Sequence, residues 1–136
     1  MSKEVLPVFR DYLDYLVSQG KLIYMKRSAT APIVKIPETQ YWWGFDRTHY
    51  FDFCWHGPEA YSGVLPPDLN GRYPNWQYAL RFAQSYQRRL DADSWDDAKR
   101  AAYQVTPEWV AKMDKIKAMC EAQRWSDAME VYRDFE

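Results

Sequence analysis

Residues 40 to 55 read QYWWGFDRTHYFDFCW, and no other stretch constrains the fold as strongly. Two aromatic-rich runs flank a polar tip at Asp46, Arg47 and Thr48. Aromatic side chains suit a pleated, half-buried surface, so the pattern reads as a β-hairpin. Upstream, KLIYMKR (21–27) and IVKI (33–36) read as two more strands. SATAP (28–32) is a turn by composition, and Pro37 ends the second strand. Before them, Pro7 suits a first helical turn and Gly20 a left-handed stop, which predicts a helix over 7–18. Phe9, Leu13 and Leu16, with Tyr12 beside them, form its buried stripe.

Residues 56–74, HGPEAYSGVLPPDLNGRYP, interrupt this pattern with Pro58, Pro66, Pro67 and Pro74 and with Gly57, Gly63 and Gly71. Connections longer than about 12–15 residues in a compact domain are usually functional or mobile. From residue 75 the apolar period becomes helical. Trp76, Ala79, Leu80, Ala83, Tyr86 and Leu90 share one face of a helix over 75–90. Ser94 with Asp97 resembles a capping box opening a short helix over 95–104. TPEW (106–109) opens another, with Thr106 as N-cap and Pro107 at the first helical position, burying Trp109, Met113, Ile116 and Cys120. Ser126 is expected to cap the last helix, with Ala128, Val131, Tyr132 and Phe135 on its apolar side.

SWDDAKRAAY (94–103) and RWSDAMEVYRDF (124–135) share Trp-x-Asp-Ala thirty residues apart. Two helical hairpins in series would produce this echo. KAMCEAQRWSDAMEVYRDF (117–135) also resembles the second half of a tetratricopeptide unit, in which a bulky aromatic precedes an Ala that lets two helices approach closely. It departs from that family at Gln123, near the place of the family's Gly, and in its spacing of thirty instead of thirty-four. The resemblance is therefore one of helix packing, not of membership.

With 136 residues and 47% hydrophobic content, the chain suits one domain. Its parts are 1–55 (helix plus sheet), the 56–74 loop, and the helical half 75–136. A net charge of −1 provides no global attraction to nucleic acid or an anionic membrane. No transmembrane-length apolar run occurs, and Asp11 and Asp14 interrupt the N-terminal segment where a signal peptide would be apolar, so a cytoplasmic location is expected. Cys54 and Cys120, in unrelated elements, suggest free thiols instead of a disulfide or zinc site, and no metal or cofactor is expected.

Four groups of residues are candidates for function. In FDFCWHGP (51–58) strand alternation places Asp52, Cys54 and His56 on one face and Phe51, Phe53 and Trp55 on the other. A Cys54–His56 pair with Asp52 nearby could form an imidazole-activated thiolate, the basis of a small enzyme. The simpler reading makes these three the wet face of a sheet whose dry face is Phe51, Phe53 and Trp55. The acidic run DADSWDD (91–97) is explained by helix capping and dipole stabilisation, since it lacks the Gly and final Glu of a calcium loop. Arg72, Arg81, Arg88 and Arg89 could grip phosphates, giving a nucleic-acid-binding alternative, although such residues more often form a solvated face.

The last candidate is aromatic surface. At 18% aromatic, with seven Trp and eleven Tyr, the chain carries more rings than one core comfortably hides. Trp42, Trp43, Arg47, Tyr61 and Tyr73 fall in or beside the hairpin and the long loop, and together have the make-up of a partner-binding surface. Because adjacent strand residues face opposite ways, one of Trp42 and Trp43 is expected to plug the core. The reading is an α+β fold: an N-terminal helix, a small antiparallel sheet with an aromatic hairpin, and a four-helix C-terminal region of two hairpins. The expected function is a small protein-binding module that inhibits or regulates a larger protein or complex. In style the chain is similar to accessory, anti-defence proteins of phages and mobile elements.

Overall fold

The computed structural model describes the backbone of residues 4–39, 42–48, 51–56 and 76–135, and the side chains of the same residues except 47, 48, 51–56, 76, 77 and 135. The elements, in chain order, are α1 (Pro7–Ser18), β1 (Ile23–Lys26), β2 (Ile33–Lys35), β3 (Trp42–Thr48), β4 (Phe51–His56), α2 (Trp76–Ala92), α3 (Asp97–Ala102), α4 (Pro107–Glu121) and α5 (Trp125–Phe135). The architecture is α+β, as the periodicities imply. The four strands form one antiparallel meander in the order β1-β2-β3-β4.

Local chemistry accounts for most of the boundaries. Pro7 occupies the first turn of α1. Gly20, at φ 72°, lets Lys21 N–H reach back to the Leu16 carbonyl at 3.0 Å, the closing bond of a Schellman motif. Helices α3 and α4 end in the same way without glycine. Gln104 (φ 58°) and Gln123 (φ 61°) take the left-handed position, and Val105 and Arg124 N–H bond the Arg100 and Met119 carbonyls, each at 2.8 Å. The Gly missing from the tetratricopeptide-like pattern is thus replaced in conformation by Gln123. After β2 the chain makes a tight turn over 36–39, with Pro37 second, Glu38 third at φ 62°, and Thr39 N–H bonding the Ile36 carbonyl at 3.3 Å.

Two expected caps are corrected. Asp96, not Ser94, caps α3, accepting from Lys99 N–H at 2.8 Å, while Ser94 Oγ turns back to donate to the Asp91 carbonyl at 2.7 Å. Ser126 lies inside α5, buried at 9% exposure, one residue past the start of the helix at Trp125. Short polar side chains satisfy whichever backbone group lies within reach, so a run containing several of them does not identify its own cap. Thr106 caps α4 as expected, accepting from Trp109 N–H at 3.1 Å.

One apolar cluster joins sheet and helices. It runs from Phe9, Leu13 and Leu16 of α1 through Val34, Trp43 and Phe45 of the sheet to Phe82, Ile116 and Ala128. Phe9 meets Phe45 edge to face at 4.9 Å, which ties α1 to the sheet. Trp125 is the hub on the helical side, with ring contacts to Tyr12, Tyr15, Phe82 and Tyr86 between 5.7 and 6.4 Å. The sequence echo hides a difference in role. Trp125 is 5% exposed, whereas Trp95 rests against Tyr103 and Lys99 beside a helix that contributes no buried residue.

Candidate functional site

Which sheet face is dry is decided by register. Val34 pairs with Trp43, and both are buried, at 0% and 3% exposure. Phe45, at 0%, lies on the same face two residues on. On this side the sheet meets α1, through the Phe9–Phe45 contact and a 2.5 Å hydrogen bond from Tyr24 Oη to Asp14. Ile23, Lys35 and Trp42 pair across β1, β2 and β3 on the opposite face, with Ile33 beside them. There Ile23 is 40% exposed and Trp42 and Ile33 are half-buried. Met25, in the irregular pairing between Tyr24 and Lys26, is 56% exposed.

The two adjacent tryptophans therefore divide as strand alternation requires. Trp43 belongs to the core, which corrects its assignment to a partner surface. Trp42 lies on the second face, which also carries Ile23 and Met25, the most exposed large apolar side chains among the described residues of the sheet. Lys26 and Lys35 share that face, and Lys21 and Arg27 flank β1 at its two ends. The result is a mixed apolar and basic face, with Lys35 lying between Ile23 and Trp42.

The same register places β4. Cys54 pairs with Phe45 and His56 with Trp43, while Trp55 pairs with Gly44 and Phe53 with Asp46. Directly paired residues in an antiparallel ladder share a face. Positions 52, 54 and 56 thus lie on the face of Trp43 and Phe45, and positions 51, 53 and 55 on the face of Trp42. The reading of Asp52, Cys54 and His56 as the wet set rested on β4 alone; in the register those positions share the face of Trp43 and Phe45, and their side chains lie outside the described ones. Alternation separates two sets of residues but does not say which one meets the helices. Arg47 pairs with Asp52 in the backbone register, and Tyr61, Arg72 and Tyr73 lie outside the described residues.

The arginines of α2 are largely engaged within the chain. Arg89 is held between Asp114 at 2.8 Å and Asp93 at 3.0 Å, with its side chain 11% exposed. Those carboxylates keep its guanidinium firmly protonated. Arg88 stacks on Trp109 at 4.7 Å. Arg81 is exposed. A phosphate-binding stripe would therefore have to break ion pairs already made. The acidic run 91–97 is structural too: Asp96 caps α3, Asp93 holds Arg89, and Asp91 accepts from Gln87 at 3.2 Å. No group of three or more His, Cys, Asp or Glu side chains among the described residues is placed to hold a metal ion.

Cys120, expected on the buried face of α4, is there, at 2% exposure. Burial, reinforced by Glu121, pushes its thiol up to about 12, so it stays protonated and inert at neutral pH. None of the described helices is long and apolar enough to cross a membrane.

A cleft between the helices was not foreseen from sequence. Helices α1, α2, α4 and α5 enclose a cleft of about 480 Å³ walled by Tyr15, Tyr86 and Trp125, with the carboxylates of Asp11, Asp14 and Glu121 along it. Asp11 and Asp14, one helical turn apart on α1, were legible only as charges interrupting an apolar stretch. What brings them beside Glu121, more than a hundred residues away, is the docking of α1 against the C-terminal helices. No protein-family model matches the chain, and no curated protein or solved structure matches it either.

Proposed function

We propose that this protein is a small protein-interaction module that binds a larger protein or complex through the second face of its sheet and thereby inhibits or regulates it. The observation that carries this reading is the division of the hairpin tryptophans: Trp43 is spent on the core, whereas Trp42 lies half-buried on a face that also exposes Ile23 and Met25. An apolar patch around an aromatic residue with a polar border is the usual anatomy of an interface centre. The basic residues on and beside this face, Lys21, Lys26 and Lys35, match a partner whose own surface is acidic.

The test is an affinity-tagged capture from lysate of the native host, quantified by mass spectrometry, with Trp42→Ala and Met25→Asp as separate variants. A single stoichiometric partner is expected for the parent chain and for neither variant, while both variants keep their far-ultraviolet circular dichroism and melt within a few degrees of the parent. Capture of the same protein by parent and variants alike refutes the proposed surface. A chain that captures nothing refutes the module.

A further inference from the structure

The sheet is open, and β1 forms one of its edges, with β2 as its single neighbour in the ladder. Among the described elements, only β2 packs closely along it. The backbone groups that β1 leaves unpaired follow from the register. Phe45 N–H donates to the Pro32 carbonyl at 3.0 Å, which marks those two residues as a hydrogen-bonded pair. Bonded and non-bonded pairs alternate along an antiparallel ladder, so Val34 bonds toward β3, while Ile33 and Lys35 bond toward β1. Ile23, opposite Lys35, therefore turns its N–H and C=O to β2, and Tyr24 turns both of its own outward. The Tyr24 side chain is anchored, its hydroxyl donating to Asp14 at 2.5 Å. An outward N–H and C=O on a fixed extended backbone are a template for one more strand.

The charge of this edge selects what can pair with it. Residues 15–37 carry Lys21, Lys26, Arg27 and Lys35 and no Asp or Glu, in a chain whose net charge is −1. Arg27 is engaged by Asp14 at 3.4 Å, and Lys35 donates to the Thr39 carbonyl at 3.0 Å. The side chains of Lys21 and Lys26 make no ion pair or hydrogen bond among the described residues. They lie on either side of Ile23 and Met25, which are 40% and 56% exposed. The edge thus presents two uncompensated ammonium groups around an apolar middle. Two β1 strands paired antiparallel about their centre would set Lys21 of one opposite Lys26 of the other, and like charges directly opposite destabilise a ladder. That arrangement disfavours a second copy of this chain and favours a strand with carboxylates at the same positions.

We propose that an extended acidic segment of a partner protein adds antiparallel to the free edge of β1, with carboxylates opposite Lys21 and Lys26 and an apolar side chain beside Ile23. This docking mode rests on the second sheet face being the partner surface, and it specifies what the partner brings there. Its main chain pairs with Tyr24, and its alternate side chains extend the cross-strand row of Ile23, Lys35 and Trp42.

The probe is the peptide acetyl-TETVTET-amide, titrated into the ¹⁵N-labelled chain and followed at the Tyr24 amide. One control is acetyl-TKTVTKT-amide, of reversed charge. The other is the acidic peptide N-methylated at its threonines, which removes the N–H groups that would face β1. A saturable Tyr24 shift with a Kd of about 1 mM or tighter is expected for the acidic peptide, and binding at least about tenfold weaker for both controls. The double variant Lys21→Glu, Lys26→Glu, with unchanged circular dichroism, is expected to prefer the lysine peptide. The proposal is overturned if the acidic peptide leaves Tyr24 unshifted at about 5 mM, or if either control binds as well. A Tyr24 shift that grows with protein concentration in the absence of peptide makes a second copy the occupant and also overturns it. In the lysate capture, loss of the Trp42-dependent partner from the double variant is expected. Equal capture by parent and double variant overturns strand addition while leaving the sheet face as the partner surface, and capture abolished by nuclease overturns it in favour of nucleic acid.

Discussion

Replacing Trp43 and Trp42 separately by alanine measures which face of the sheet is dry. Trp43 is 3% exposed and lies against Val34, itself fully buried. A large buried aromatic removes about 150–250 Å² from water, which at ~25 cal/mol per Å² is about 4–6 kcal/mol. Measured truncations of buried Phe or Trp fall at about 3–5 kcal/mol. A domain of 136 residues has a total stability of roughly 7–20 kcal/mol. Trp43→Ala should therefore still fold in most of that range, but with its urea midpoint lowered by roughly 1.5–2.5 M for a slope near 2 kcal/mol per M. Trp42 is half-buried and faces Lys35 across the ladder. Its truncation should cost less than about 1.5 kcal/mol, the loss of a cross-strand pair plus partial burial. The assay is equilibrium urea unfolding followed by far-ultraviolet circular dichroism, with the slope checked for constancy between variants. Equal costs, or a larger cost for Trp42, would mean that β3 sits one residue out of the register described. Such a slip would carry the proposed docking face to the wrong side of the sheet.

Three further outcomes are expected. Gln123→Gly and Glu38→Gly should each stabilise the chain by about 0.5–1 kcal/mol, because a β-carbon at positive φ costs about 1–2 kcal/mol and the glycine returns part of that as unfolded-state entropy; a loss of stability in the urea melt would show that the left-handed turns are not strained. Cys120 should react with a thiol reagent at pH 8 only after unfolding, and because its folded pKa, near 12, is raised above the unfolded value, its contribution to stability is complete below about pH 8.5 and is lost as pH rises toward 12; native-state labelling as fast as that of the unfolded chain would contradict this. Asp11→Asn should raise stability near pH 7 by up to about 1 kcal/mol, modest because solvent screens the site. The sign follows from a raised folded pKa, which makes the ionised native form the disfavoured one, so the gain should vanish below the unfolded carboxylate pKa, and a gain persisting at low pH would point to another cause.

The local elements were legible in the chain because their causes are local. Pro7 and Gly20 bracket α1, Thr106 and Pro107 open α4, and the aromatic runs on either side of Asp46–Thr48 declare a hairpin; each needs only neighbours within a few residues. Where several short polar residues competed for a cap, as at Ser94 and Asp96, the choice fell to geometry.

Everything that defines a site depended on long-range docking. The pattern of β4 divides Asp52, Cys54 and His56 from Phe51, Phe53 and Trp55, yet only the pairing of Cys54 with Phe45 and of His56 with Trp43 says which set lies on the face that meets α1. The arginines of α2 look free in sequence until α4 brings Asp114 to Arg89 and Trp109 to Arg88. The cleft has no sequence signature, because Asp11, Tyr86 and Trp125 are drawn from three helices with no common spacing. Periodicity divides a strand or helix into faces using interactions along one element. Which face is buried, and which charges meet across a gap, depends on contacts between elements distant in the chain, and those exist only once the chain has folded.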